Sequence, residues 1–278
     1  MTSQADKAVA FRALHEARAP FVIPNPWDIG SARLLEALGF KALATTSAGY
    51  AFSRGLPDNA VGREQMIQHL AELAPSTNLP VSADLENGFG DAPEDAAETI
   101  RQAAAAGVVG GSIEDATGRA EDPIYAHELA VERVRAAVEA ARSLPFPFTL
   151  TARAENYLVG RADLADTIRR LQAFQEAGAD VLYAPALKSR EDIVAVVSSV
   201  DRPVNVLMGM AGMPFSVDDL TQMGVRRISV GGALARAALG ALLRAAKEMN
   251  EQGTFTYTNE AAATQEITDL FASVRQPV

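Results

Sequence analysis

The chain has 278 residues, no cysteine and a formal net charge of −10, and 48% of its residues are hydrophobic. This length and apolar content suit one large domain over residues 1–278, and the lack of cysteine excludes disulfides, thiolate catalysis and cysteine-based zinc sites. The acidity and the lack of a basic cluster argue against nucleic acid as a partner. The chain has no run of about 18 apolar residues and no charged-then-apolar leader, so we expect no membrane span, and the lack of cysteine fits the expected cytoplasmic location.

Apolar strands alternate with amphipathic helices along the whole chain. The expected strands cover residues 21–24, 42–46, 81–85, 108–113, 148–153, 180–184, 203–207 and 227–230. The expected helices cover residues 6–17, 32–38, 63–74, 92–107, 125–143, 163–177, 191–200, 217–223, 234–250 and 259–274, with Ser31 as the N-cap of the second. Eight strand-then-helix units predict a parallel sheet closed into a (β/α)8 barrel. An open doubly wound sheet is the alternative, and the lack of a Gly-x-Gly-x-x-Gly motif after the first strand argues against it.

Two carboxylates lie at the C-terminal end of one of the predicted strands. Asp84 and Glu86 are two residues apart in the stretch Val81-Ser-Ala-Asp-Leu-Glu-Asn-Gly-Phe-Gly90, and alternate side chains of a strand share a face. Carboxylates on one face repel, and a hard divalent cation between them removes the repulsion. Gly88 and Gly90 let the backbone turn sharply. The alternative is a solvated strand end followed by a glycine turn.

The C-terminal ends of the strands carry the active site in a (β/α)8 barrel. The polar residues at or near those ends are mostly acids, with one arginine among them. The residues at these positions are Trp27, Asp28, Ser47, Ala48, Gly49, Asp58, Asp84, Glu86, Glu114, Asp115, Arg153 and Glu155. Converging carboxylates predict a hydrated Mg2+ ion, with Mn2+ as the alternative. Arg153 is expected to hold a substrate carboxylate, or else to form a structural ion pair with Glu155 or Glu114.

Other residues near the predicted strand ends have less specific interpretations. Asp115 and Glu155 are interpreted as a helix cap or surface charges. Tyr50 is expected to form a wall of the substrate pocket, and Trp27 to pack in the core. Asn205, on the seventh strand, is either a substrate contact or a structural residue of the sheet.

Six short stretches resemble the isocitrate lyase/phosphoenolpyruvate mutase superfamily, and the resemblance covers roughly residues 20 to 235. They are Ser31-Ala-Arg33, Thr45-Thr-Ser-Ala-Gly49, Asp58-Asn59, Asp84-Leu-Glu-Asn-Gly-Phe-Gly90, Ser112-Ile-Glu-Asp115 and Thr151-Ala-Arg-Ala-Glu155. The resemblance implies a barrel whose eighth helix is exchanged between the subunits of a homodimer or homotetramer. It implies Mg2+ held, partly through water, by Asp58, Asp84, Glu86 and Glu114. It also implies a small carboxylate substrate whose 2-oxo-carboxylate end, or its enolate, meets donors from Ser47, Ala48 and Gly49, and whose carboxylate meets Arg153.

The loop after the fourth strand departs from that superfamily. Residues 115–124 contain no Cys, Lys or His, whereas lyase members carry Lys-Lys-Cys-Gly-His there and mutase-type members Lys-Thr-Asn. The loop is also expected to lack the basic or asparagine-rich groups that C–P chemistry needs. The resemblance therefore favours an Mg2+-dependent carbon-carbon lyase that works through an enolate, with Arg153, Ser47 and Asp58 as catalytic residues. The alternatives are C–P chemistry of the phosphonopyruvate hydrolase or phosphoenolpyruvate mutase type, and a catalytically degenerate barrel that binds 2-oxo acids.

The end of the chain has more helix than a simple barrel needs. Two helical stretches follow the last strand from about residue 234, where one would suffice. The first of them carries an apolar stripe at three- and four-residue spacing: Leu234, Ala238, Leu242, Ala245 and Met249. Such a stripe needs a partner surface, and the resemblance suggests that another subunit provides it.

Overall fold

Eight short parallel strands form the centre of the computed structural model, which describes residues 2–274. Met1 and residues 275–278 of the predicted domain lie outside that range. The strands are β1 Phe21–Ile23, β2 Leu43–Ala44, β3 Val81–Asp84, β4 Gly110–Glu114, β5 Thr149–Arg153, β6 Val181–Tyr183, β7 Val204–Leu207 and β8 Arg227–Ser229. They pair in the order β1-β8-β7-β6-β5-β4-β3-β2, which confirms the predicted (β/α)8 barrel.

Helices connect the strands and cover the barrel. They are α1 Gln4–Glu16, α2 Ile29–Ala37, α3 Ser47–Ser53, α4 Arg63–Leu73, α5 Pro93–Ala105, α6 His127–Arg142, α7 Leu164–Glu176, α8 Arg190–Ser198, α9 Val217–Gln222, α10 Ala233–Gln252 and α11 Thr264–Ser273. Short 3-10 turns cover Ala74–Ser76 and Thr256–Glu260. In residues 2–274 no helix is both long enough and apolar enough to cross a membrane.

The two ends of the strand ladder, β1 and β2, meet at a side chain. The Ala44 amide donates a hydrogen bond of 3.1 Å to the Pro24 carbonyl. The buried Asn25 amide group donates to the Thr45 carbonyl at 2.9 Å, and its oxygen accepts from the Val230 amide at 2.9 Å. Asn25 therefore joins the ends of β8 and β2 and closes the barrel between them.

Helix α1 covers the N-terminal end of the barrel. The buried Phe11 ring makes edge contacts with His15 and Phe21, at 4.7 and 6.4 Å between ring centres. A Cβ atom on Gly110 would lie 2.8 Å from the Phe11 ring, so this close approach requires glycine. Burial lowers the pKa of His15 to about 3. An uncharged aromatic cluster thus fills the N-terminal end of the barrel. An active site can therefore form only at the C-terminal end of the strands.

Two helix starts differ from the prediction. The segment Ser47–Ser53, for which no helix is predicted, forms α3, and the Thr46 hydroxyl caps it by accepting from the Gly49 amide at 3.2 Å. Helix α2 begins at Ile29, and its N-cap is Asp28 instead of Ser31. The Asp28 carboxylate accepts from the Ser31 amide at 2.7 Å, so Ser31 is the third helical residue of a capping box.

Helix α10 extends from the end of β8 with little of its surface covered. Its range confirms the predicted helix, yet Ala235 is the one residue of α10 that is buried among residues 2–274. Leu242 and Leu243 are each 60% exposed. The predicted apolar stripe therefore exists on the surface of this chain, and its coverage by a second subunit stays a prediction.

Candidate active site

Arg153, the last residue of β5, lies at the centre of a cluster of acids. Its Nη1 donates to Asp84 Oδ1 at 3.0 Å and its Nε to Glu155 Oε1 at 2.8 Å, and its Nη2 forms an ion pair with Glu114 Oε2 at 3.0 Å. Burial disfavours the charge of Arg153, but the carboxylates outweigh it and hold the pKa of the guanidinium well above its ordinary value. The ion pairs with Glu114 and Glu155 are those of the structural alternative, and carboxylate binding by Arg153 stays a prediction.

Ser47 meets the same cluster from the start of α3. Both its amide and its hydroxyl donate to Asp84 Oδ2, at 3.0 and 2.9 Å. The Thr45 hydroxyl accepts from the Asp84 amide at 2.9 Å, which fixes the end of β3 against β2. The structure therefore brings together Ser47, Asp84 and Arg153, as the sequence predicts.

Glu86 reaches the cluster by a backbone turn and not by strand alternation. Strand β3 ends at Asp84, and Glu86 has a φ of 48°, so the argument that the two residues share a strand face is wrong. The Glu86 carboxyl is nevertheless buried, and burial followed by the charges of Asp84 and Asp58 raises its pKa to about 8. Burial and Asp84 also raise the pKa of Asp58.

These acids suit a hard divalent cation. They supply only oxygen ligands, Glu86 Oε1 is buried without a hydrogen-bond partner, and the charges of Asp84 and Asp58 add to burial in raising the pKa of Glu86. In residues 2–274 no three Asp, Glu, His or Cys side chains form a ready-made metal cage. Carboxylates that line an open cavity leave room for an ion that keeps several of its waters, as Mg2+ does. The residues that would hold it are Asp58, Asp84, Glu86 and Glu114.

Two adjoining cavities open at the acid cluster. The outer cavity, of about 580 Å³, lies between the acids and the loop that follows β4. The inner cavity, of about 170 Å³, extends into the barrel and is lined by Ala48 among others. Ser47, Asp58 and Arg153 line both. A small carboxylic acid that enters the outer cavity would therefore meet all three predicted catalytic residues.

Two of the predicted substrate contacts on α3 are engaged in packing. Tyr50 stacks on His69 with 3.9 Å between the ring centres, so it faces α4. Gly49 is buried, and a Cβ atom there would lie 2.6 Å from the Thr46 side chain and 2.9 Å from that of Trp27. The structure thus gives Gly49 a steric role, which is to let α3 approach its neighbours.

Asn205 lies below the inner cavity. Its side chain is buried and donates to the Ser229 hydroxyl at 2.9 Å. Ser229, and not Asn205, lines the inner cavity. This placement corresponds to the structural alternative for Asn205.

Asp115 and Glu155 are each only 3% exposed, so their interpretation as a cap or surface charges is wrong. The Glu155 carboxylate belongs to the Arg153 cluster, and its backbone amide donates to Asp115 Oδ1 at 2.8 Å. Asp115 Oδ2 pairs with the Arg170 guanidinium at 3.1 Å. Burial raises the pKa of Asp115 to about 7 although the Glu155 amide and Arg170 oppose the rise. Sequence reasoning missed this pair because 55 positions separate its members.

Arg119 contradicts the expectation that the loop after β4 lacks a basic group. It lines the outer cavity and is bonded to both oxygens of Asp91, at 2.9 and 2.8 Å. The Tyr125 hydroxyl donates to the same carboxylate at 2.6 Å. The side chains of Arg119 and Asp91 are 45% and 59% exposed, and exposed ion pairs contribute little stability. The guanidinium can therefore exchange Asp91 for another anion at low cost.

A comparison with known proteins gives the family of this chain. The sequence profile of the phosphoenolpyruvate phosphomutase family matches residues 11–250. The chain belongs to this family. The 2-methylisocitrate lyase of Escherichia coli (strain K12) is 30% identical to it over 82% of the chain and 81% of that protein.

Solved structures agree with the family. A Burkholderia cenocepacia J2315 protein described as a candidate lyase or mutase is 62% identical, with a TM-score of 0.95 and 99% of each chain covered. Oxaloacetate acetylhydrolase in complex with the product oxalate is 26% identical, with a TM-score of 0.87, covering 98% of this chain and 96% of that one. Phosphonopyruvate hydrolase with oxalate and Mg2+, at 24% identity, a TM-score of 0.83 and coverage of 96% and 95%, shares the fold. The chain is thus a lyase-type enzyme of the phosphoenolpyruvate mutase/isocitrate lyase superfamily.

Proposed function

We propose that this enzyme is an Mg2+-dependent lyase that cleaves or forms a C–C bond beside a 2-oxo-carboxylate. The observation that carries the proposal is Asp84, held between the Arg153 guanidinium and the two donors of Ser47. This group lies at the C-terminal ends of the strands, where (β/α)8 barrels have their active sites. The names of the relatives, 2-methylisocitrate lyase and oxaloacetate acetylhydrolase, support the C–C branch.

Each residue of the cluster would have a different role in such a reaction. Bound Mg2+ would supply Lewis-acid stabilisation of the negative charge that develops on the enolate oxygen. Ser47 has two donors that already point into the site and can serve an oxygen of the 2-oxo-carboxylate. Arg153 has a planar fork that can take the substrate carboxylate in exchange for one of its present partners. Asp58 lies at the wall common to both cavities, within reach of the same substrate end.

One observation favours C–P chemistry as a second candidate. Arg119 places a cation on the outer cavity, opposite the acid cluster. A phosphonate group carries more negative charge than a carboxylate and would also be bound by such a cation. Arg119 thus removes the argument against the C–P branch that rested on a loop without basic groups.

A panel assay separates the candidates. Oxaloacetate, isocitrate, 2-methylisocitrate and 3-phosphonopyruvate are incubated with the protein, with Mg2+, with Mn2+ and with a chelator. The C–C proposal expects metal-dependent cleavage of one of the first three, and phosphate release from the fourth alone would favour C–P chemistry. A shift of the melting temperature by a 2-oxo acid without any product would instead identify a degenerate binding barrel. Turnover that is unaffected by the chelator would contradict the metal assignment.

A further inference from the structure

Arg170, on α7, is a buried cation that the proposed reaction does not use. It is 6% exposed. Its Nη1 donates to Asp115 Oδ2 at 3.1 Å and to the Tyr125 carbonyl at 3.0 Å, and its Nε donates to Asp166 Oδ2 at 2.8 Å. Asp166 lies one turn before Arg170 on α7, so one guanidinium connects this helix to residues 115 and 125, the two ends of the loop after β4.

Each partner of Arg170 fixes a segment at the C-terminal end of the barrel. Asp115 directly follows β4, and it accepts the Glu155 amide on Oδ1 at 2.8 Å and the Tyr125 amide on its carbonyl at 2.8 Å. Asp166 accepts from Asn156 Nδ2 at 2.8 Å. The start of the loop after β5 and both ends of the loop after β4 are thus held by the same buried group.

The segments fixed by Arg170 carry parts of the candidate site. Glu114 directly precedes Asp115 in the chain, and the Glu155 amide donates to Asp115. Both acids pair with Arg153, so Asp115 connects them to Arg170. Between Asp115 and Tyr125 runs the loop that lines the outer cavity with Ala116, Gly118, Arg119, Ala120 and Pro123. A displacement of Arg170 would therefore move both the acids around Arg153 and the loop that lines the outer cavity.

We propose that Arg170 is a positioning residue, which sets Glu114 and Glu155 around Arg153 and holds the loop after β4 over the outer cavity. The proposal rests on the proposed function for its kinetic part only. A planar guanidinium with five donors can serve three acceptors in fixed directions, which no other side chain can do. Because the surroundings are close-packed, a change in these contacts shifts the attached segments and is not absorbed locally.

The kinetic test compares Arg170→Gln with wild type. Displacement of reacting groups by about 1 Å can cost on the order of 100-fold in rate, so we expect kcat to fall about 10- to 100-fold while KM changes less. Arg170→Lys keeps the charge but loses the planar fork that fixes the directions of its hydrogen bonds, so its kcat should lie between those of wild type and Arg170→Gln. The double variant Asp115→Asn/Arg170→Gln removes both buried charges, and it should regain melting temperature without regaining kcat.

Arg142, a more exposed arginine at the other end of the barrel, offers a control. It is also a helical arginine that pairs with an acid, Asp180, at 2.6 Å, and it donates to the Phe148 and Gly178 carbonyls near the starts of β5 and β6. Arg142→Gln should lower the melting temperature and leave kcat within about twofold of wild type. A purely structural role for Arg170 would predict equal effects of the two substitutions on kcat.

Amide hydrogen exchange gives a readout that does not need turnover. In Arg170→Gln the amides of Glu155 and Tyr125 should exchange at least about 10-fold faster than in wild type, while those of β1 and β8 stay protected. Unchanged exchange at Glu155 and Tyr125, or a kcat equal to that of the Arg142→Gln control, would overturn the proposal. If wild type turns over no substrate, the proposed function fails, and the exchange comparison still decides the role of Arg170.

Discussion

Asp84 carries two kinds of interaction that a single substitution can separate. Asp84→Asn keeps the size of the side chain and one oxygen for the Ser47 donors, but it removes the charge that faces Arg153 and the proposed ion. We expect the fold to persist and Mg2+-dependent turnover to fall on the order of 100-fold. Calorimetric titration with Mg2+ and steady-state kinetics check this. If the variant bound Mg2+ as tightly as wild type does, the ion would have to bind at a site that does not include Asp84.

Arg119 should determine how strongly the site prefers substrates with a second acidic group. Loss of a charge-assisted hydrogen bond costs about 1.5 to 3 kcal/mol, so Arg119→Gln should raise KM for such a 2-oxo acid about 10-fold or more. Inhibition by a monocarboxylate such as pyruvate should not change. Arg101→Gln is the control, since Arg101 is an exposed arginine of α5 that pairs with Glu98. An equal rise of KM in both variants would rule out a specific contact.

The acids at the strand ends and Arg153 could be predicted from the sequence, but Arg119 and Arg170 could not. Acids at strand ends are brought together by the barrel itself, so Asp84 and Glu114 follow from the strand pattern alone. Arg119 reaches the cavity because Ala116 and Ile124 pair across the loop and turn it back, which no local pattern indicates. The burial of Asp115 depends on Arg170, which is distant along the chain.

At the scale of single elements, α1 should make the protein sensitive to acid. The pKa of His15 is about 3 in the fold and 6.5 ordinarily, so the unfolded chain takes up a proton below pH 6.5 that the folded chain does not. Stability from this group is complete above pH 6.5 and is lost as pH falls toward 3. At pH 5 the loss is on the order of 2 kcal/mol.

Comparison with His15→Phe isolates this effect. Phenylalanine keeps the edge contacts with Phe11 and Phe21 but cannot be protonated. The free energy of unfolding in urea, measured at pH 7.5 and pH 5, should fall less in the variant than in wild type. Other groups, such as Glu86 with its raised pKa, titrate in both proteins and cancel in the difference. Equal losses in the two proteins would show that His15 is not the acid-sensitive group.

The strands were more predictable than the short helix at the site. All eight strands lie within a few residues of their predicted bounds, because buried apolar runs between turn residues are a strong pattern. Helix α3 was missed because it has seven residues and includes Gly49, which disfavours a helix. That glycine is needed for packing against Thr46 and Trp27, so tertiary contact overrides the local preference.

At the scale of the whole molecule, the exposed face of α10 predicts association. Leu239, Leu242, Leu243 and Met249 are each at least 37% exposed on one helix. Burying such a face between copies of the chain would make stability depend on protein concentration. Light scattering at micromolar concentration should give a dimer or tetramer mass, and the melting temperature should rise with concentration. A monomer mass together with a constant melting temperature would count against helix exchange.

The junction at Asn25 determines where heat should first damage the enzyme. In residues 2–274, β1 and β2 share the single backbone bond between Ala44 and Pro24 in place of a ladder, and local unfolding starts where such bonds are few. If the barrel opens there, the inner cavity loses its shape, because Ser47 and Ala48 line it from the β2 side and Gly231 and Gly232 from the β8 side, while the other strands stay paired. Thermal inactivation should therefore precede loss of the circular dichroism signal, so the enzyme stops working at temperatures where most of its barrel is still folded.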